Sequence, residues 1–246
     1  MKIYQEIKTN NGVLRGYLHK VDKEKKQPLV IMFHGFTGNK AESKFLFVQF
    51  SKYLCEHNIA SLRFDFLGSG ESDQNFNYMT FSNEVMEAKE ILKFAKSLPF
   101  VSKIIVLGLS MGGAVATQVA KECYQDIDKL ILWAPAGMMK EAILHRQNEY
   151  LPLENGNYDL GGIELSQNFI SDIKKQDLFS DIDKYKKPVA IYHGLNDTTV
   201  PLEVSKKYCD IYEDCSLNTY YNADHTFTNV LVRKSLFLDN LKFILE

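Results

Sequence analysis

The chain has 246 residues, 45% of them apolar and 24% charged, with a net charge of −2. That is enough apolar material for one α/β domain with an insertion, without metal or disulfide support, and the small charge provides no field favouring nucleic acid or an anionic membrane. The first residues, MKIYQEIKTNNG, hold no apolar secretory segment, and no run reaches the roughly 18 apolar residues of a membrane span. A cytoplasmic location without membrane association is therefore expected. Cys55, Cys123, Cys209 and Cys215 form neither a CxxC pair nor zinc spacing with histidine. Reduced thiols are expected, with a Cys209–Cys215 disulfide as the alternative, and no metal or cofactor is expected.

In chain order, residues 1–19 read as an antiparallel hairpin turning at Asn10-Asn11-Gly12. The charged run 20–26 reads as a solvated loop. Residues 29–33 are a continuous apolar run after Pro28, which suits a buried strand. Residues 45–57 have helical spacing, 59–64 read as a strand and 81–98 as a helix. A β-branched strand follows at 103–107, then a helix rich in small residues at 111–124. Strands are expected at 129–133, 189–193 and 217–221, and helices at 203–211 and 230–245. This alternation implies a mostly parallel sheet with helices on both faces.

Residues 136–186 break the rhythm, because they separate two strands by far more than one crossover helix requires. An insertion of this length is more often functional than idle. The expected organisation is a core of residues 1–135 and 187–246, with 136–186 as an inserted lid holding helical pieces around a turn-rich middle.

Gly108-Leu109-Ser110-Met111-Gly112 has the G-x-S-x-G form, and it lies between a strand and a small-residue helix. A nucleophile elbow needs that strand–turn–helix arrangement, with glycines where a Cβ would clash. Ser110 then sits at a helix N-terminus, where the dipole and free N–H groups favour an oxyanion. A serine hydroxyl needs an adjacent base, and proteins with such an elbow use the chain order Ser, acid, His. Of the histidines after Ser110, His225 lies in a loop between the last strand and the last helix, where a base can reach over the sheet edge. His193 ends a strand and reads as structural; His145 lies in the insertion. Asp197, in the loop after strand 189–193, is the expected acid, orienting His225 without taking its proton. Asp224 is a poorer choice, since a side chain adjacent in sequence points badly toward the imidazole. The oxyanion needs two N–H donors, expected from Met111 and from Phe36 in His34-Gly35-Phe36-Thr37-Gly38. His34 precedes the serine and reads as a residue that fixes this loop.

These motifs, with Arg63 to Ser72 in the form R-x-D-x-x-G-x-G-x-S and Asp224-His225-Thr226-Phe227, identify a resemblance. The chain resembles the α/β-hydrolase superfamily over nearly its full length, and within it the small bacterial cinnamoyl (feruloyl) esterases. The resemblance implies an α/β-hydrolase fold with an inserted lid. It also implies carboxylic-ester hydrolysis through an acyl-enzyme, on small or aromatic acyl esters such as hydroxycinnamates. It carries Ser110, Asp197 and His225 over as the triad, with Phe36 and Met111 as oxyanion donors and Asp65 as structural. The subgroup usually reads G-H-S-Q-G-G at the elbow, whereas this chain has Leu109 and Met111. His145, Gln147, Tyr150 and Phe169 are candidate substrate contacts. A small-molecule ester is the expected partner, with a homodimer left open. A monoacylglycerol lipase, a thioesterase, an aminopeptidase-like hydrolase and a non-catalytic ligand receptor on the same scaffold remain alternatives. An aminopeptidase would need an acidic anchor for the substrate amine, and the insertion has no clear acidic cluster.

Overall fold

Near-continuous burial along the central strands dictates a sheet that must be covered on both faces. A computed structural model describes residues 1–21, 25–146 and 150–246. The run 20–26 therefore lies partly outside the described residues, and so does Gln147. An N-terminal hairpin, β1 (Lys2–Thr9) and β2 (Gly12–His19), pairs antiparallel from Lys2↔His19 to Thr9↔Gly12. The remaining strands of the main sheet are β3 (Gln27–Phe33), β4 (Ala60–Phe64), β5 (Val101–Leu109), β6 (Lys129–Trp133), β10 (Val189–Gly194) and β11 (Cys215–Tyr220). Their order is β1-β2-β4-β3-β5-β6-β10-β11, and every pair beyond β2–β4 is parallel.

Helices α2 (Phe81–Ser97), α3 (Met111–Glu122) and α6 (Leu202–Ile211) pack on one face. Helices α1 (Leu46–Glu56) and α7 (Val230–Leu245) pack on the other. Period-two alternation assigns successive side chains to opposite cores. Ile104 and Val106 of β5 join the α2/α3 core, while Ile105, Leu107 and Leu109 join the α1/α7 core. Trp133 anchors the second core: it is fully buried, its ring meets Phe47, Phe50 and Phe227, and Nε1 donates to Asn240 Oδ1 at 3.1 Å. The doubly covered parallel sheet matches the expected fold class.

Between β6 and β10 lie α4 (Met139–Arg146), three two-residue strands β7 (Leu151–Pro152), β8 (Tyr158–Asp159) and β9 (Glu164–Leu165), and α5 (Gln167–Ile173). The turn-rich middle thus becomes a small antiparallel sheet, with Gly156, Gly161 and Gly162 at positive φ in its turns. Element ends differ slightly from the sequence expectation. Helix α1 starts at Leu46 because Phe45 is left-handed (φ 58°). The expected reduced state of all four cysteines does not hold. The tight α6–β11 connection brings Cys209 and Cys215 within 5.4 Å between Cα atoms, and they are disulfide-bonded. No helix among the described residues is long and apolar enough to cross a membrane.

Helix α2 buries two acids one turn apart. Glu87 Oε2 accepts from Leu67 N at 2.8 Å, and Glu84 Oε2 has no hydrogen-bond partner among the described residues. Burial pushes the Glu87 carboxyl up to about 8, with the Leu67 N–H working the other way. Burial, and then the proximity of Glu87, holds Glu84 well above the usual carboxylate range. Each acid keeps its proton in the folded chain at pH values where the unfolded chain has released it. Their stabilisation is therefore complete below about 4.5 and is lost as pH rises through the folded value. Buried His19, lowered to about 4 by burial and then by Arg63, has the opposite slope, but only below its unfolded value of 6.5. Above that, the acids act alone. Unfolding free energy should fall between pH 6.5 and 8 by roughly 1 kcal/mol per pH unit through Glu87, with Glu84 acting in the same direction. Urea midpoints at the two pH values measure this; the Glu84→Gln/Glu87→Gln double variant should be much flatter, and an unchanged slope would place the linkage elsewhere.

Candidate active site

The elbow follows from crowding at the end of β5. Ser110 is the N-cap of α3 and adopts φ 56°, ψ −122°, a region costing about 1–3 kcal/mol for a residue with a Cβ. Neighbouring backbone forces the glycines around it. A Cβ on Gly108 would fall on the Gly112 carbonyl, and one on Gly112 would fall on the carbonyls of Phe33 and His34. Helix α3 therefore lies directly against the end of β3. The serine's own carbonyl is fully used, accepting from Gly113 N and Ala136 N at 2.9 Å each. The N–H of Met111, first in α3, has no acceptor within the helix.

The loop after β3 approaches this turn from the other side. A Cβ on Gly35 would sit 3.2 Å from the Ser110 Cβ. Buried His34 fixes the loop through a defined tautomer. Its Nε2 accepts from Phe66 N at 3.1 Å, so Nδ1 carries the proton and donates to Gly35 O at 2.9 Å. Gly38 N also donates to Gly35 O, and Gly35 N donates to Glu42 Oε1 at 2.6 Å. The Gly35–Phe36 peptide is thus held from its carbonyl side, which fixes where the Phe36 N–H points. Buried Asp65 ties the same region down. It accepts from Lys40 N at 2.6 Å, Lys40 Nζ at 2.5 Å and Glu71 N at 2.8 Å, so its role is structural.

Asp197 follows β10 and His225 follows β11. Asp197 Oδ2 lies 2.7 Å from His225 Nδ1. The carboxylate can only accept, so Nδ1 holds the proton and Nε2 is the basic nitrogen. Asp197 Oδ1 accepts from Thr199 N at 2.8 Å and Val200 N at 2.9 Å. Burial alone would raise its pKa. Hydrogen bonds from His193, His225 and Val200 outweigh that and hold it well below the usual carboxylate range. His193 is buried; Nε2 donates to Val200 O at 2.9 Å and Nδ1 meets Ser205 Oγ at 2.7 Å, leaving no nitrogen for substrate. Asp224 is engaged elsewhere, accepting from Thr228 N at 2.8 Å and from the Thr228 hydroxyl. Among the described residues, no hydrogen bond joins Ser110 Oγ to His225, a gap common before substrate binds.

A cavity of about 390 Å³ opens at the serine, lined by Ser110, Met111 and Phe36 from the core. Met138, Met139 and Ile143 line its other side from the segment after β6, together with His145 and Tyr150. Two expected substrate contacts therefore face the cavity. Gln147 lies outside the described residues. Phe169 departs from expectation: it is fully buried because its ring stacks on Phe36, with centroids 5.3 Å apart, and it does not line the cavity. Val200, Pro201, Val204 and Glu141 also line the cavity, and the sequence did not point to them. Val200 to Val204 carry a signal only in hindsight, since they directly follow the acid's loop.

Est1E from Butyrivibrio proteoclasticus, solved with ferulic acid bound, superposes with a TM-score of 0.86 at 29% identity, covering 98% of this chain and 100% of that one. Alpha/beta hydrolase domain-containing protein 10 from mouse, at 21% identity and a TM-score of 0.80, shares the fold over 99% of this chain and 100% of its own. Among curated proteins, human Protein ABHD12B is 26% identical over 204 residues, which are 80% of this chain and 52% of that protein. A Haemophilus influenzae protein named as an esterase/lipase is 26% identical over 152 residues, 58% of this chain and 49% of its own length. The chain thus spans about half the length of the curated relatives it matches. The family model described as serine aminopeptidase, S33, matches residues 24–153, more than half of the sequence, and it includes the loop carrying Phe36 and the Ser110 turn. With its eight-stranded sheet, strained serine turn and this match, the chain belongs to the serine aminopeptidase S33 family of α/β hydrolases.

Proposed function

We propose that this protein is a serine carboxylic-ester hydrolase with Ser110 as nucleophile, His225 as base and Asp197 as the group that orients the base. The observation carrying the reading is the 2.7 Å Asp197–His225 bond, made by a buried, ionised carboxylate at the end of β10, two strands along the sheet from the strained serine. His225 Nε2 takes the Ser110 proton as Oγ attacks the ester carbonyl. The N–H groups of Phe36 and Met111 hold the oxyanion, whose charge also meets the N-terminus of α3. His225 then protonates the leaving alcohol, and water releases the acyl group by the same route.

The cavity supports an aromatic or small acyl group. Its walls of Met138, Met139, Ile143 and Val204 suit a flat apolar moiety, and His145 and Tyr150 supply polar atoms for a phenolic hydroxyl. That chemistry fits hydroxycinnamate esters, and ferulic acid is the molecule bound to Est1E. One observation favours a second reading. Glu141 is the acidic residue on this cavity wall among the described residues, and an aminopeptidase-like hydrolase would use such a carboxylate to hold a substrate amine. The proposed site is internal to the cell, on a small-molecule ester.

Three outcomes are expected. Ser110→Ala should lower ester turnover by at least about 10³-fold while leaving the thermal midpoint nearly unchanged, and a fluorophosphonate should label the wild-type serine. Near-normal turnover in that variant, or no labelling, would sink the nucleophile and favour a non-catalytic receptor. In a panel of aryl and alkyl esters that includes methyl ferulate and an aminoacyl nitroanilide, kcat/KM should be highest for methyl ferulate. Preference for the nitroanilide would establish the aminopeptidase reading, and loss of that preference on Glu141→Gln would locate it. Activity should decline on acidification as His225 is protonated. Because Asp197 is held well below the usual range, it remains ionised over that limb, so the decline should fit one protonation. A profile flat across the acid range would exclude His225.

A further inference from the structure

Arg233 lies in the first turns of α7, is 6% exposed, and spends its guanidinium entirely on backbone carbonyls among the described residues. Nε donates to Phe227 O at 2.7 Å, and Nη2 donates to Thr226 O at 3.4 Å. Both acceptors immediately follow His225. The other side of the fork reaches a distant segment: Nη1 donates to Lys44 O at 2.9 Å and Nη2 to Ser43 O at 3.1 Å. That segment begins at Glu42, whose Oε2 accepts from Ser43 N at 3.1 Å and whose Oε1 accepts from Gly35 N at 2.6 Å. One buried cation thus connects the loop of the proposed base to the residue that holds the proposed oxyanion loop.

Both connected segments are strained. Phe227 has φ 51°, and Glu42, Lys44 and Phe45 have φ 58°, 51° and 58°. Non-glycine residues remain in this region only where surrounding structure over-determines them, at about 1 kcal/mol or more each. The Ser43 carbonyl also accepts from Leu46 N and the Lys44 carbonyl from Gln49 Nε2, but only the Arg233 fork, among the described residues, ties both to the loop after His225. The planar guanidinium suits this task, since it offers five N–H donors in a fixed fork, whereas an ammonium offers a point charge.

We propose that Arg233 is a positioning residue, fixing the spacing between His225 and the Phe36 N–H without touching substrate. The proposal rests on the serine-hydrolase reading above. Its removal should therefore misplace base and oxyanion donor relative to each other, an effect felt in the chemical step rather than in substrate binding. Helix α7 itself is secured by Val232, Leu236, Phe237, Leu241 and Ile244 in the second core, so the fold does not depend on the fork.

The test uses the full chain as wild type, Arg233→Lys and Arg233→Ala, with p-nitrophenyl acetate as substrate and thermal unfolding as the measure of folded fraction. Expected are a fall in kcat of about 100-fold for Arg233→Ala with KM within about threefold, and little recovery in Arg233→Lys. Guanidinium at tens of millimolar should raise the kcat of Arg233→Ala about tenfold and leave wild type unaltered, because the added cation can reoccupy the cavity. A kcat within about threefold of wild type in the folded variants, or a loss that guanidinium does not restore, overturns the proposal. If Arg233→Ala does not fold, the kcat of Arg233→Lys decides alone. Failure of the underlying reading looks different: wild type itself would then neither hydrolyse the ester nor react with a fluorophosphonate.

Discussion

At Ser110 the chain must pass from a strand into a helix within one residue, and it does so through a left-handed conformation that a residue with a Cβ disfavours. The turn persists because α3 is pressed against the end of β3, with Gly112 against the carbonyls of Phe33 and His34 and Gly108 against Gly112. That close approach has two effects. It aims the serine side chain out of the sheet edge, and it brings the first N–H of α3 beside the loop that carries Phe36. The proposed nucleophile and oxyanion donors are thus products of one packing constraint, and the rest of the candidate site is arranged around it.

Around the turn, the buried carboxylates of Asp197 and Asp65 are each surrounded by donors. Asp197 collects two backbone N–H groups and two imidazoles, which offset the cost of burying its charge. Asp65 does the same for the loops after β3 and β4, using Lys40 and the Glu71 N–H. Two buried carboxylates therefore have opposite assignments. One holds the His225 ring, and the other holds the backbone of the loops after β3 and β4. Glu84 and Glu87 follow a third pattern, in which burial without a cation favours the neutral acid.

Much of this was legible in the sequence because it is local. Strands and helices follow from hydrophobic period, and the elbow from glycines at fixed offsets from Ser110. His34 was readable as a loop-fixing residue from its place before Gly35. What the sequence did not show depends on contacts between distant segments. The stacking of Phe169 on Phe36 is one such contact: an aromatic residue in the insertion reads equally well as a substrate contact or as core. The Cys209–Cys215 bond is another, since it required knowing that α6 ends and β11 begins within one tight turn. The small sheet of β7, β8 and β9 was hidden because two-residue strands carry no periodicity.

Under the proposed reaction, Phe36 would couple selectivity to rate in this scaffold. It lines the cavity beside Ser110, and its ring packs against Phe169 and Phe76. A change in α5 that enlarges the acyl space would also loosen the residue whose N–H is the proposed oxyanion donor. Divergence toward new acyl groups is therefore easier through α4 and Tyr150, which border the cavity without supporting that residue. An evolving lineage could exchange those walls freely, while Phe169 would be retained for a function it never performs on substrate.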